Sequence, residues 1–200
     1  MKRVACTLVI LAAALNVVAT DQSKPLWDGQ TLTGWHRIGK GDWKIEGGAI
    51  HGTHRKSEGD YGHLVSDRSY TNFMVRFKFK ALQGNSGFYF RIEEKGWSGV
   101  SGCQAEIDAK NDIGGLYETN GRGWIVKPKA VDVKDWFKPG DWNEMVVSAV
   151  GHHVSVRVNG KLTADLPKDI QGRVSGKLAL QLHAHQDVDV WFKELEIAEQ

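Results

Sequence analysis

Three polar side chains alternate along the segment CQAEID, namely Gln104, Glu106 and Asp108. Alternate residues of a β-strand point to the same face, so these side chains would share one surface. Two neighbouring carboxyl groups can act as acid and base, and an amide can hold a hydroxyl group. The segment therefore predicts a strand face that binds a polyol and moves protons.

Two further segments have the same character. NSGFYFR places Asn85, Tyr89 and Arg91 on one predicted face, and LQLH does the same for Gln181 and His183. Amides, an arginine and a histidine complete a set that can hold hydroxyl groups and transfer protons. The alternative is an ordinary solvated strand face, since exposed faces are usually polar, and the pattern alone leaves both interpretations open.

The elements that would position these residues are strands. The segment NFMVRFKFKA alternates apolar residues, Phe73 to Phe79, with charged ones, and GKLALQLHA does the same around Leu178, Leu180 and Leu182. SGFYFRIE predicts a third strand, with Phe88, Phe90 and Ile92 on its dry face opposite Tyr89 and Arg91. A period of two indicates half-buried strands.

Turn residues separate the apolar runs, as in EGG at 46–48 and VNGK at 158–161, where Asn159-Gly160 predicts a hairpin. A period near 3.6 is not sustained over 12 residues anywhere, so little helix is expected. Many short strands joined by glycine turns predict an all-β fold, an antiparallel two-sheet sandwich. Residues 20–200 would form one domain, since no repeat or Pro-rich linker divides them.

The first residues, MKRVACTLVILAAALNVVAT, predict a secretory signal peptide over 1–19, with cleavage after Ala19. The protein would then be exported, to the periplasm or the cell exterior, with Cys103 as its one, buried thiol. Loss of Lys2 and Arg3 takes the formal net charge from +2 to zero. This charge favours a neutral partner such as a carbohydrate over nucleic acid, and no later segment is apolar enough to predict a membrane span.

Several segments in order, among them PLWDGQTLTGW, GNSGFYFRIE, CQAEIDAKNDIGGLYETNGRGW and GKLALQLHAHQDVDVWFKELEI, resemble the 3-keto-disaccharide hydrolase domain family over residues 25–197. The resemblance implies a jelly roll of the concanavalin-like lectin and glucanase type. It also implies a substrate, a glycoside or disaccharide whose sugar carries a ketone at C3. The expected reaction is proton abstraction at C2, elimination at C1 and rehydration.

The resemblance also implies site residues, which are Asn85, Ser86, Arg91, Gln104, Glu106, Asp108, Tyr117, Gln181 and His183. His183 or Glu106 would be the base, Arg91 or a bound cation would stabilise the enolate, and Asp108 would assist. Tyr89 would join the substrate-binding residues. A divalent cation could use oxygen and nitrogen ligands from Glu106, Asp108, His183 and His185, although these residues form no fixed-spacing metal motif.

Three tryptophans lie in predicted loops, Trp97, Trp124 and Trp136. An indole ring can stack on the C–H face of a sugar. Trp124 is favoured for this role because GRGW directly follows the site segment.

Two other functions compete with this reaction. A laminarinase-type endo-glucanase uses the strand motif E-x-D-x-x-E, which Glu106 and Asp108 fit but which Asn111 breaks at the acid/base position. A carbohydrate-binding, lectin-like module without catalysis would use the same polar face and loop tryptophans. Turnover of a 3-keto-glycoside separates an enzyme from such a module.

Overall fold

The computed structural model describes residues 23–200, so the predicted signal peptide lies outside the described residues. Within them the strands are β1 (Lys24–Pro25), β2 (Trp35–Gly39), β3 (Asp42–Glu46), β4 (Ala49–His54), β5 (Gly62–Tyr70), β6 (Phe73–Gln83), β7 (Asn85–Lys95), β8 (Gly99–Asp108), β9 (Leu116–Thr119), β10 (Gly123–Val126), β11 (Asn143–Val150), β12 (His153–Val158), β13 (Lys161–Leu166), β14 (Gly176–Leu182) and β15 (Val188–Glu199). In this described range, helix is confined to α1 (Ala130–Val133) and a 3-10 turn at Lys56–Glu58. Neither helix of this part of the chain is long and apolar enough to cross a membrane.

The strands form two antiparallel sheets packed face to face, which confirms the predicted sandwich. The front sheet has the order β10-β9-β8-β7-β14-β5-β2. The back sheet has the order β13-β12-β11-β6-β15-β4-β3, with β1 paired to β15. Neighbours in both sheets are often distant in sequence, because the chain crosses repeatedly between the sheets as it does in a jelly roll.

The core lies between the sheets and follows the predicted alternation. Phe73, Phe77 and Phe79 on β6 are fully buried, whereas Arg76 on the opposite face is exposed. Each such phenylalanine contributes roughly 1.5–3 kcal/mol on burial. Cys103 is a buried free thiol on the core side of β8, as expected.

The turn at Asn159-Gly160 joins β12 and β13 as an antiparallel hairpin, which confirms that prediction. Both residues have positive φ values, 48° and 82°, as a type I′ turn requires. Asparagine and glycine adopt this left-handed backbone at low cost, so the local sequence determined the hairpin.

The alternation predicted for β7 fails beyond Phe90. In the pairing with β8, Arg91 and Ile92 stand opposite the single residue Gly102, which makes a β-bulge. Arg91 takes a positive φ of 53°. Ile92 consequently packs beside Tyr89 on the outer side of the front sheet, and not in the main core with Phe90. The expectation that Ile92 faces the core and that Arg91 shares the face of Tyr89 was therefore wrong.

Candidate active site

A polar cleft of about 440 Å³ opens on the outer face of the front sheet. Its walls come from β5, β7, β8, β9, β10 and β14 and from the loops at their ends. The lining residues are Tyr61, His63, Asn85, Tyr89, Gly99, Val100, Gln104, Glu106, Asp112, Tyr117, Thr119, Asn120, Trp124, Gln181 and His183. Concave sites of this size that combine aromatic rings with convergent polar groups are typical of small-ligand binding.

The floor of the cleft is a chain of hydrogen bonds across four strands. Gln104 Nε2 donates to Gln181 Oε1 at 3.0 Å, and Gln181 Nε2 donates to the Tyr89 hydroxyl at 3.2 Å. The Tyr89 hydroxyl also bonds to Thr119 Oγ1 at 2.6 Å. Since these bonds fix both amide orientations before any ligand arrives, the floor is preorganised to recognise hydroxyl groups.

Glu106 is the carboxyl group of the cleft whose pKa is strongly perturbed. The residue is only 5% exposed, and Asn85 Nδ2 donates a hydrogen bond to its Oε1. Burial raises the pKa of Glu106 to about 8, and the hydrogen bond from Asn85 opposes this shift only in part. Glu106 is therefore largely protonated at neutral pH and can donate a proton to a bound ligand.

His183 follows directly on the end of β14. Its Nδ1 lies 2.8 Å from the Ala184 carbonyl oxygen, which can only accept, so Nδ1 carries the proton. In the neutral ring, Nε2 is then the lone-pair nitrogen, and it bonds to no group of residues 23–200. Tyr61 packs edge-on against the imidazole, with ring centroids 5.0 Å apart. His183 thus presents a base at the wall of the cleft.

His63 lies beneath the cleft at 1% exposure, and neither ring nitrogen has a hydrogen-bond partner in the described chain. Burial lowers the pKa of His63 to about 4. The nearby Ser98 backbone raises the pKa of His63 slightly, although its geometry is not that of a hydrogen bond. The His63 ring packs against Tyr61 and Tyr89, with ring centroids 6.0 and 5.6 Å away. His63 is therefore a neutral, uncharged part of the cleft wall.

The structure brings most of the residues predicted from sequence into this cleft. Those that line it are Asn85, Tyr89, Gln104, Glu106, Tyr117, Trp124, Gln181 and His183. Trp124 packs edge-on against Tyr117 with centroids 5.3 Å apart. The three strand segments that carry chemistry in the sequence therefore do converge.

Arg91 does not line the cleft. The bulge turns its side chain to the end of the sandwich, where the guanidinium donates to the backbone carbonyls of Thr71, Ala149, Gly151 and Arg173 at 2.7–3.2 Å. Residue 91 is 3% exposed. Arg91 therefore connects segments of both sheets by hydrogen bonds. Because its guanidinium lies outside the cleft, it cannot stabilise an enolate there.

Two other predicted residues also lie outside the cleft. Asp108 accepts hydrogen bonds from the backbone N–H groups of Lys110 and Asn111 at 2.7 and 2.9 Å, so its carboxylate closes a turn. The Ser86 hydroxyl is buried and donates to the Gln181 carbonyl at 2.6 Å, which ties β7 to β14. Both contacts support the site without reaching a ligand.

The predicted cation ligands do not converge either. Within residues 23–200, no three histidine, cysteine or carboxylate side chains form a group that could hold a metal ion. Asp108 is engaged in its turn, and His185 is exposed beyond the end of β14.

Five polar lining residues escaped the sequence analysis: Tyr61, His63, Asp112, Thr119 and Asn120. Thr119 could have been found, because it lies two residues after Tyr117 on the same strand face. The others come from loops and from β5, which the sequence does not show to be next to β14. Only the sheet order places them in the cleft.

Part of the chain is similar in sequence to a curated protein. A curated 3-keto-disaccharide hydrolase from Bacteroides thetaiotaomicron is 32% identical over 86 residues, which are 38% of this chain and 30% of that protein. The match therefore covers less than a third of the relative's length.

Two solved structures share the fold. A candidate glycosyl hydrolase from Parabacteroides distasonis superposes with a TM-score of 0.66 at 21% identity, covering 90% of this chain and 94% of that chain. The carbohydrate-binding module CBM66 from Bacillus subtilis gives a TM-score of 0.66 at 18% identity, covering 86% of this chain and 98% of that chain. At these identities the likeness concerns the fold alone.

The sequence match to a domain family is more extensive. The family model described as the 3-keto-alpha-glucoside-1,2-lyase-like domain matches residues 22–198. This range includes every strand of the sandwich except the last residue of β15. The chain therefore belongs to the 3-keto-alpha-glucoside-1,2-lyase-like domain family.

Proposed function

We propose that the cleft cleaves glycosides whose sugar is oxidised to a ketone at C3. The observation that carries this proposal is a buried carboxyl group and an imidazole with an accessible Nε2 in one cleft. Burial keeps Glu106 protonated near neutral pH, whereas His183 presents a lone-pair nitrogen. A carboxyl group that holds its proton and an imidazole with an accessible Nε2 are suited to an elimination, which needs one acid and one base.

His183 removes the first proton. The C3 ketone acidifies the hydrogen on C2, and Nε2 takes that proton while the electron pair of the C2–H bond moves to the keto oxygen as an enolate. Because Nδ1 is bonded to the Ala184 carbonyl, the ring keeps its orientation as it becomes charged.

Glu106 assists the leaving group. As the enolate collapses, the C1–O bond breaks, a C1–C2 double bond forms, and the Glu106 carboxyl gives its proton to the departing oxygen. Addition of water by the reverse path completes a hydrolysis, since Glu106 recovers a proton from the water and His183 returns one to C2. Release of the unsaturated ketone before this step makes the enzyme a lyase.

A neutral donor must stabilise the enolate oxygen, because Arg91 is engaged at the end of the sandwich. Tyr61 packs beside His183, and partial burial raises the pKa of its hydroxyl, so the hydroxyl stays protonated. We assign Tyr61 this role. Gln104 and Gln181, held by the floor network, would hold the sugar hydroxyls.

The test compares two 3-keto-α-glucosides, one with 4-nitrophenol and one with methanol as the leaving group. His183→Gln should lower turnover of both by on the order of 10²-fold, the usual scale for a lost general base. Glu106→Gln should lower turnover of the methyl glycoside as much, but that of the nitrophenyl glycoside far less, because nitrophenolate leaves without a proton.

Asp135→Asn is the control, because this exposed carboxylate lies outside the cleft and is not among the charges that shift the pKa of Glu106. It should leave both rates within about twofold of the wild type, well below the effect of a lost acid or base. Equal activity of the wild type on unoxidised glucosides would point to an ordinary glycosidase and overturn the proposal.

A second candidate function is sugar binding without catalysis. It is favoured by the floor network, which fixes four polar groups and needs no proton transfer to recognise a ligand. In that case the wild type binds a 3-keto-glycoside but does not release its aglycone, and His183→Gln leaves the affinity unchanged.

We also propose that the protein is exported to the periplasm or the cell exterior. This rests on the basic and apolar residues at positions 2–18 and on the small residues that follow. The intact mass of the protein recovered from the periplasm or medium tests it, with a chain beginning at Thr20 expected.

A further inference from the structure

The hairpin between β7 and β8 folds over the outer face of the front sheet. Its tip, residues 96–98, approaches the turn between β2 and β3 so closely that a Cβ atom at Gly39 would lie 2.9 Å from the Ser98 Cβ. The backbone N–H of Lys40 in that turn donates to the Tyr61 carbonyl at 2.9 Å. The hairpin tip, this turn and the residue before β5 therefore meet at one place.

This meeting point is part of the rim of the cleft. Gly99 and Val100, directly after the hairpin tip, line the cleft, and so does Tyr61. Trp124 lies on β10 at the opposite edge of the sheet. Glu106 on β8 and His183 after β14 lie between these two ends.

Trp97 occupies the hairpin tip and is 57% exposed. The Lys40 ammonium lies 5.6 Å from the centroid of its ring, within the range of a cation–π contact. A tryptophan that contributes to the core would be covered, as Trp43 is at 1% exposure. An exposed indole beside a cleft instead leaves its flat face accessible to a ligand bound there.

We infer that Trp97 and Lys40 form a subsite for the leaving group of the substrate, and that this group is a second sugar ring. This inference rests on the proposed function of the cleft. The indole offers a flat surface for the C–H face of a pyranose, and the ammonium can donate hydrogen bonds to its hydroxyl groups. A disaccharide would place its oxidised sugar over Glu106 and His183 and its second sugar on Trp97.

The test measures kcat/KM of Trp97→Ala on two 3-keto-α-glucosides, one with glucose and one with methanol as the leaving group. We expect a loss of about tenfold or more on the disaccharide, mainly in KM, and a change of less than about twofold on the methyl glycoside. Trp97→Phe should retain most of the activity because its ring can still stack. Equal losses on the two substrates, or none on the disaccharide, would overturn the subsite.

Trp142→Ala is the matched control, since this tryptophan lies beside Lys80 on the back sheet, 5.2 Å from the ammonium, and does not line the cleft. It should behave like the wild type on both substrates.

If the wild type turns over neither 3-keto-glycoside, the proposed reaction fails, and the subsite is tested by calorimetric binding of the unoxidised disaccharide maltose. Binding that weakens about tenfold in Trp97→Ala but not in Trp142→Ala supports the subsite. Absence of binding to the wild type, or equal binding by both variants, overturns it.

Discussion

Replacing Glu106 by glutamine should change how the stability of the protein depends on pH. Burial raises the pKa of this carboxyl from its ordinary 4.5 to about 8, so the folded state holds the proton more tightly than the unfolded chain does. The contribution of the protonated Glu106 carboxyl to stability is then fully present below the pKa that this group has in the unfolded chain. It is lost as the pH rises through the pKa of the same group in the folded protein. Glutamine does not titrate and still accepts the hydrogen bond from Asn85.

The magnitude follows from the size of this shift. One pKa unit corresponds to about 1.4 kcal/mol, so the free energy of unfolding of the wild type should fall by up to that amount per pH unit between the two pKa values. The complete loss is about 3 to 5 kcal/mol, the lower figure allowing for water that enters the cleft. Glu106→Gln should therefore be increasingly more stable than the wild type as the pH rises.

Urea unfolding followed by tryptophan fluorescence, at several values from about pH 5 to about pH 9, measures this difference. Asp135→Asn is the control, because its carboxylate is exposed and its stability curve should run parallel to that of the wild type. If the curve of Glu106→Gln also runs parallel to the wild type, the carboxyl ionises normally. Glu106 could then not serve as the acid of the elimination.

The other predictions concern the cleft wall, the bulge and the leader. Because burial lowers the pKa of His63 to about 4, the wild type should lose up to about 3 kcal/mol of stability as the pH falls from about 6.5 to 4, and His63→Phe should lose less in the same urea assay. Arg91→Met should lower the free energy of unfolding by about 3 kcal/mol or more, since it leaves buried carbonyls unpaired. At a temperature where the variant is folded, its kcat should equal that of the wild type. A large loss of kcat in the folded variant would indicate that Arg91 takes part in the reaction. The intact mass of exported protein should match cleavage after Ala19, and a mass that retains Cys6 would contradict this prediction.

Local pattern was sufficient for several of the strands. The alternation of Phe73, Val75 and Phe77 predicted β6 and its buried face, and Asn159-Gly160 predicted a hairpin, because side-chain alternation and turn geometry are properties of neighbouring residues. The same alternation failed at Arg91 and Ile92. A bulge depends on the register with the partner strand, and the partner cannot be read from the strand itself.

The candidate site likewise depends partly on local sequence and partly on tertiary structure. The sequence by itself determined which residues carry chemistry, because the alternation of Gln104 with Glu106 and of Gln181 with His183 places each pair on one strand face. Which of them line the cleft was decided only by the tertiary structure. The order of the sheet brought His63 and Tyr61 to the cleft, the turn took Asp108 out of it, and the bulge removed Arg91. The raised pKa of Glu106 also depends on the tertiary structure, since a carboxyl group is removed from solvent only when other strands and loops pack around it.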